Sequence, residues 1–281
     1  MQQDRVLLLC DLSYQCYRAS AANPHLTSRR VFTGGLYGFL MTLGKMVRET
    51  RATDVAFCQD IKPYLRSKTY PEYKQLRKST ADQDLMERHK ASMPLILEAL
   101  EVCGVKPWGV PGFESDDLIG LAATRHRGRF TRIYAGSNDS DLYQLLVFPN
   151  FAVYKDSIAT VVTAATLLKT SGLTPQQYML ATALQGTHND IAGIPRVGET
   201  TAKKAVLDAG LLRKLRADWA AVIDRNLGLI KLPHADLPAA TTLPVHDVGF
   251  DVRRLYRYLN KYDIDCTLAM ENAFNQFLHK R

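Results

Sequence analysis

The acidic residues of this chain fall in short groups, each just beyond a short apolar run. Asp11 ends the run Val6–Cys10, and Asp60 follows Val55–Cys58. Glu114, Asp116 and Asp117 open an apolar helical stretch, while Asp139 and Asp141 follow Ile133–Ala135. Carboxylates brought together repel one another unless something neutralises them. Hard divalent cations do this, and an all-oxygen set favours Mg2+ or Mn2+ over Zn2+. Glu114 and Asp117 are three residues apart and share a helix face, whereas Asp116 points elsewhere. One short segment can therefore serve two neighbouring ions. A pair of metals about 4 Å apart activates water and stabilises a leaving oxygen in phosphoryl chemistry. A single such acid reads as a turn or helix cap; four groups at successive strand ends are hard to explain that way.

Such convergence needs a particular architecture. Val6–Cys10, Val55–Cys58, Val105–Trp108, Ile133–Ala135 and Phe151–Tyr154 read as strands. Leu36–Val47, Met93–Val102 and Leu118–His126 have helical spacing, with Pro94 tolerable in a first turn. The alternation predicts an α/β fold with a mainly parallel sheet covered on both faces. Sites in such sheets form beyond the carboxyl ends of the strands, which puts all four acidic groups on one rim. The second half differs. Thr174-Pro175 predicts an N-cap and first helical residue, with the helix running on to Gln185. Gly186–Gly198 reads as a polar turn region, Glu199–Asp208 as a second helix and Arg253–Tyr262 as another. Leu232–Val248 holds three prolines without a clear period and reads as a connector. The expected division is a domain over 1–165 and a helical region over 166–281.

Composition narrows the class. Of the 281 residues, 46 % are hydrophobic, an ordinary value for a soluble chain. No apolar run approaches the roughly 20 residues that span a bilayer, so no membrane role is expected. The five cysteines (Cys10, Cys16, Cys58, Cys103, Cys266) are scattered without metal-type spacing, which fits free thiols in a reducing compartment. A net charge of +8 points to a polyanionic partner. Between Arg66 and Lys78, basic residues alternate with Tyr70 and Tyr73. Arg and Lys can hold phosphate oxygens and Tyr can stack on a base, a solvated surface segment being the alternative. Ser79–Lys90 is polar and reads as a mobile cover over the site.

Taken in order, these motifs resemble the 5′-nuclease (flap endonuclease) family, which includes phage 5′–3′ exonucleases and the 5′-nuclease domain of bacterial DNA polymerase I. Leu7-Leu-Leu-Cys-Asp11 with Tyr17-Arg-Ala looks like the family's first strand and opening acid. Gly34-Gly-Leu-Tyr-Gly-Phe39 is similar to its glycine-rich helix start. Asp60, Leu65-Arg66 and Tyr70-Pro-Glu-Tyr-Lys74 with Arg77 are close to its second acid and basic arch. Phe113-Glu-Ser-Asp-Asp-Leu-Ile-Gly120 resembles the central acidic motif, and Ser137-Asn-Asp-Ser-Asp-Leu-Tyr-Gln-Leu145 the second-metal motif. Leu173-Thr-Pro-Gln-Gln, Ile191-Ala-Gly-Ile-Pro-Arg-Val-Gly198 and Thr201-Ala-Lys203 look like its helix–three-turn–helix element. The match runs over roughly residues 5–265.

The resemblance implies a PIN-like nuclease domain followed by a helical DNA-binding region, with two Mg2+ or Mn2+ ions. It implies hydrolysis of branched, nicked or 5′-flap DNA in replication or repair, by a monomer in a bacterial cell or phage-infected host. Asp11, Asp60, Glu114 and Asp116 would hold the first ion; Asp117, Asp139, Asp141 and Asp190 would serve the second, partly through water. Lys74 and Arg66 would meet the scissile phosphate, Arg77 an adjacent one, with Tyr70 beside them on the DNA. Gly193 and Gly198 would let the backbone approach a phosphate at a helix N-terminus, helped by Arg196, Thr201, Lys203 and Lys204. Such contacts grip backbone and carry no sequence specificity. Many members also bind K+ there. Tyr14, Tyr17, Phe32 and Tyr37 read equally as base-stacking or core residues.

Two departures stand out. Members commonly carry Gly-Asp-x-x-Asp-Asn before the hairpin, where this chain has Gln185-Gly-Thr-His-Asn-Asp190. Only Asp190 remains as an acid there. Arg196 stands where the family usually has a glycine, which bears on the K+ site. The altered stretch leaves room for a non-catalytic branch-binding protein of the same fold, and a PIN-type ribonuclease is the other rival.

Overall fold

Leu7 and Leu9 face one core and Leu8 and Cys10 the other, and all four are fully buried in β1 (Val6–Asp11). A strand apolar on both sides needs helices on both sides. The computed structural model supplies them, describing residues 4–80, 82–238, 240, 242–248 and 252–264.

From β1 the chain passes directly into α1 (Leu12–Ala22), then a small hairpin of β2 (Thr27–Ser28) and β3 (Val31–Phe32), and α2 (Gly34–Thr50). β4 (Asp54–Gln59) leads to α3 (Leu65–Thr69), α4 (Gln75–Ser79) and α5 (Gln83–Val102). β5 (Trp108–Gly109), α6 (Ser115–His126), β6 (Arg132–Gly136), a 3-10 helix (Ser140–Val147), β7 (Phe151–Lys155) and β8 (Thr160–Val162) complete the α/β part. There follow α7 (Ala164–Ser171), α8 (Pro175–Gln185), α9 (Glu199–Leu207), α10 (Ala209–Ile230), β9 (His246–Asp247) and α11 (Val252–Asn260).

The sheet order is β5-β4-β1-β6-β7-β8. β5, β4, β1, β6 and β7 are mutually parallel, β8 runs antiparallel to β7, and β9 pairs antiparallel with the start of β4. Asp11 stands level with Cys58, and Cys10 with Gly136, so the carboxyl ends of three strands form one edge. Leu12, Phe39, Ile96 and Tyr258 cover one face, and Leu118, Ile119, Leu142 and Leu145 the other. A separate core joins α8, α9 and α10 through Leu184, Ala202 and Ile223.

Several elements depart from the sequence reading. α5 starts ten residues before Met93, capped by Asp82, whose carboxylate accepts the Leu85 N–H. Pro94 is therefore interior, and most of the stretch read as a mobile cover is helix packed on α1 and α2. The third strand shrinks to Trp108–Gly109. The connector after α10 supplies β9 and buries Leu232, Leu237 and Leu243 beside α6. α10 was not legible at all; a kink at Trp219 (φ −134°, ψ 26°) breaks its periodicity. Within 166–281, α8–α10 share their own core, while α11 packs on the sheet's first core through Leu255 and Tyr258. No described helix is long and apolar enough to cross a membrane. No disulfide joins Cys10, Cys16, Cys58 or Cys103; Cys266 lies outside the described residues.

Candidate active site

Level strand ends bring the acids to one place. Asp11 ends β1 and is 4 % exposed; its carboxylate also caps α1 by accepting the Tyr14 N–H at 3.1 Å. Asp60 lies one residue past β4. Glu114 is the N-cap of α6 with Asp116 in the first turn, and Asp139 caps the 3-10 helix with Asp141 behind it. Ser115, which the sequence reading passed over, binds two strand ends together. Its hydroxyl donates to Asp11 Oδ1 at 2.8 Å and its N–H to Asp60 Oδ1 at 2.7 Å. Tyr64 donates to the other Asp60 oxygen at 3.0 Å.

These groups share one electrostatic field. Burial and the neighbouring Asp60 charge push the Asp11 carboxyl up to about 7, against hydrogen bonds from Tyr14 and Ser115 that pull it down. Burial and Asp139 push Asp141 up to about 7 as well. Asp116 stands well above the carboxylate range through burial and the charges of Asp139, Asp11 and Glu114. The opposing charge is Lys74. Burial would lower its pKa, but Glu114, Asp116 and Asp60 outweigh that and keep it protonated. Its ammonium pairs with Glu114 and lies 5.4 and 5.2 Å from the Tyr64 and Tyr73 rings.

An all-oxygen donor set with too little positive charge fits hard divalent ions. Among the described residues no three ligand-type side chains are close enough, as they stand, to grip one ion. Holding an ion there would require these side chains to draw closer together.

Two expected site residues are spent elsewhere. Arg66 is 4 % exposed and Asp117 fully buried. The guanidinium grips both Asp117 oxygens at 2.6 and 2.8 Å, Glu114 Oε2 at 3.0 Å and the Leu229 carbonyl at 2.7 Å. Asp117 also accepts the N–H groups of Glu114 (3.2 Å) and His234 (2.8 Å). With its lone pairs engaged, Asp117 has nothing left for an ion, and Arg66 has no free fork for a phosphate. The pair is a buried strut joining α3, α6 and the end of α10, and it steadies Glu114.

Asp190 is also engaged elsewhere. Its φ is 63°, and its carboxylate accepts the Leu76 N–H at 2.8 Å. Asn189 turns inward instead: its amide nitrogen is 3.5 Å from Asp141 Oδ2, and its buried Oδ1 has no hydrogen-bond partner among the described residues.

The hairpin after α8 divides the remaining expectations. At Gly193 an added β-carbon would come within 2.3 Å of the Gln185 carbonyl oxygen, so this glycine serves a close internal crossing, not an external phosphate. Gly198 is exposed with open space around it, at the start of α9, where no side chain caps the first N–H groups. Arg196 holds φ 66°, the region glycine favours, and is exposed like Thr201, Lys203 and Lys204. Tyr70 lies under the Arg225 guanidinium at 5.0 Å and accepts from Ala192 N–H at 3.4 Å, so it staples the arch to the hairpin. Asn226 of α10, also missed, donates to the Ala183 and Ala192 carbonyls at 2.8 and 3.0 Å. Arg77 belongs to α4, but its side chain lies outside the described residues. Tyr14, Tyr17, Phe32 and Tyr37 are half-buried, Tyr17 edge-on to His89 and Tyr37 against the first core.

Comparison with known proteins agrees with this fold. The family model for the N-terminal resolvase-like domain of 5′–3′ exonucleases matches residues 6–172. DNA polymerase I of Mycobacterium bovis is 32 % identical over 262 residues, covering 84 % of this chain but 28 % of that protein. The chain thus spans under a third of the polymerases it matches. The 5′–3′ exonuclease of Aquifex aeolicus is 29 % identical over 218 residues, covering 76 % of this chain and 73 % of its own. Among solved structures, the flap endonuclease of bacteriophage T5 in a product complex with DNA and metal ions superposes with a TM-score of 0.68 at 15 % identity, over 98 % of both chains. Flap endonuclease-1 of Methanococcus jannaschii gives 0.62 at 14 %, over 99 % of this chain and 94 % of that one. At such identities the likeness concerns fold alone. By its matching domain and its mainly parallel PIN-like sheet, the chain belongs to the 5′–3′ exonuclease (flap endonuclease) family.

Proposed function

We propose that the chain is a structure-specific 5′ nuclease that hydrolyses phosphodiester bonds in branched, nicked or 5′-flap DNA, acting as a monomer in replication or repair. The bacterial sources of its relatives fit the cytoplasm of a bacterial or phage-infected cell. Two Mg2+ or Mn2+ ions, when bound, would neutralise the rim and supply the Lewis acidity that makes water a nucleophile and stabilises a leaving oxygen. Asp11, Asp60, Glu114 and Asp116 would hold one ion, and Asp139 and Asp141, with Asn189 beside them, the other. Arg66 and Asp117 keep Glu114 aimed. Lys74 stays charged at the rim and meets the negative charge of the phosphate. The open start of α9 with Thr201, Lys203, Lys204 and Arg196 would hold duplex backbone, without reading bases. K+ at this hairpin belongs to the same reading, and duplex affinity in KCl against NaCl tests it.

One observation carries the proposal: level strand ends and the start of α6 bring Asp11, Asp60, Glu114, Asp116, Asp139 and Asp141 to one rim, where burial and neighbouring carboxylates raise the pKa values of Asp11, Asp116 and Asp141. The test is cleavage of a labelled 5′-flap DNA with Mg2+ and again with EDTA. Metal-dependent release of the flap is expected. Binding without cleavage in either Mg2+ or Mn2+ would indicate a branch-binding protein, and cleavage of RNA alone a PIN-type ribonuclease.

A further inference from the structure

Lys74 sits in the left-handed backbone region (φ 57°, ψ 25°) at the start of α4, and its own side chain caps nothing there. A residue with a β-carbon keeps that conformation only where its surroundings hold it. The holding groups come from the Asn189–Asp190 turn. Lys74 N–H donates to the Asn189 carbonyl at 3.0 Å, and Leu76 N–H donates to Asp190 Oδ2 at 2.8 Å. The two bonds flank Lys74 and set the direction in which its side chain leaves the backbone, toward Glu114. The turn is itself braced. Arg225 donates to the Ala192 carbonyl at 2.9 Å, Asn226 to the same oxygen at 3.0 Å, and Tyr70 receives the Ala192 N–H. Hairpin, α10 and arch are therefore tied together beside the lysine.

We propose that Asp190 is a positioning residue and not an ion ligand: by accepting the Leu76 N–H it holds the Lys74 backbone and ties the hairpin to the cation beside the acidic rim. The consequence for catalysis rests on the nuclease reading; the hydrogen bond does not. The role requires an acceptor oxygen and no charge, so an amide can fill it. An ion ligand would lose affinity with the charge, because a neutral amide oxygen binds a hard divalent cation more weakly than a carboxylate does.

The experiment compares full-length wild type with Asp190→Ala and Asp190→Asn. Amide hydrogen exchange over peptides spanning 70–80 reads the latch, and steady-state cleavage of 5′-flap DNA across a Mg2+ titration reads its effect. For Asp190→Ala, exchange at Leu76 should quicken about tenfold and kcat fall about tenfold, with KM and the Mg2+ requirement unchanged. Asp190→Asn should restore both. Equal impairment of the two variants with a raised Mg2+ requirement would make Asp190 an ion ligand and overturn the proposal, as would unchanged exchange in Asp190→Ala. Should Asp190→Ala not fold, Asp190→Asn decides alone: an unchanged Mg2+ requirement upholds the proposal and a raised one overturns it. If wild type cuts no flap, the nuclease reading fails while the exchange comparison still decides the latch.

Discussion

At the rim, Asp11 is 4 % exposed, Glu114 3 % and Asp117 0 %, and the groups there are engaged by partners drawn from β1, α3, α6 and the end of α10. On α9, Lys203 and Lys204 stand in solvent on a nine-residue helix that begins at an open glycine. Both regions would address the same polyanion. The rim gathers like charges in a low dielectric, so each group must be held against its neighbours by the fold. The α9 surface offers N–H groups and flexible cations that one helix turn places without help. The first should therefore be intolerant and sensitive to pH, the second tolerant and sensitive to salt.

The largest effect should come from Asp116→Ala, which removes an acid whose hydrogen bond, from the Ser115 hydroxyl, is long at 3.4 Å. Cleavage should fall roughly a thousandfold or more while flap binding in a gel shift stays near wild type. Full activity would remove the rim from the mechanism.

Next comes the strut. Asp117→Ala leaves Arg66 buried without its bidentate partner, which should cost about 3–5 kcal/mol of stability and lower the denaturant midpoint. An unchanged midpoint would mean that the pair is not buried.

The rim should also respond to pH. Asp11 and Asp141 lie near 7 in the folded protein against 3.8 when free, so between those values the native state binds more protons than the unfolded chain. This contribution is fully present below about pH 4 and is lost as pH rises through 7. Without ions, the melting temperature should rise as pH is lowered from 8 to 6. Mg2+ binding, which needs ionised carboxylates, should weaken over the same range in calorimetry. A flat ion-free profile would show that the carboxyls are not perturbed.

The smallest effect is assigned to the other region. Lys203→Ala or Lys204→Ala should weaken duplex binding only a few-fold and reduce the slope of log affinity against log salt by about 1 each. A change in kcat at saturating DNA would break the division between the regions.

Much of the frame was legible. Val6–Cys10 reads as a strand because its apolar run fits a sheet covered on both faces, and Thr174-Pro175 marks its helix through a capping box that Gln177 completes at 2.9 Å. β5 was misplaced because two paired residues leave no periodicity to find. α10 escaped because its kink shifts the apolar face halfway along. At the site, the acids at strand ends could be named, but not their partners. Arg66 looks from sequence like a phosphate ligand in a basic run, and burial beside Leu229 makes it a strut. Asp190 looks like the surviving acid of a metal motif, and a left-handed backbone turns it onto Leu76.

The amino-acid sequence by itself determined which residue types occur at which local spacing: carboxylates after apolar runs, a Glu114-to-Asp117 helix face, a glycine at the start of α9. Local rules suffice there, because strand and helix geometry act over a few residues. The tertiary structure alone decided which of those groups remain free to act. Asp117, whose oxygens already hold a buried guanidinium and two backbone N–H groups, has no lone pair for an ion, and such contacts come from distant segments: Arg66 is 51 residues from Asp117 and 163 from Leu229.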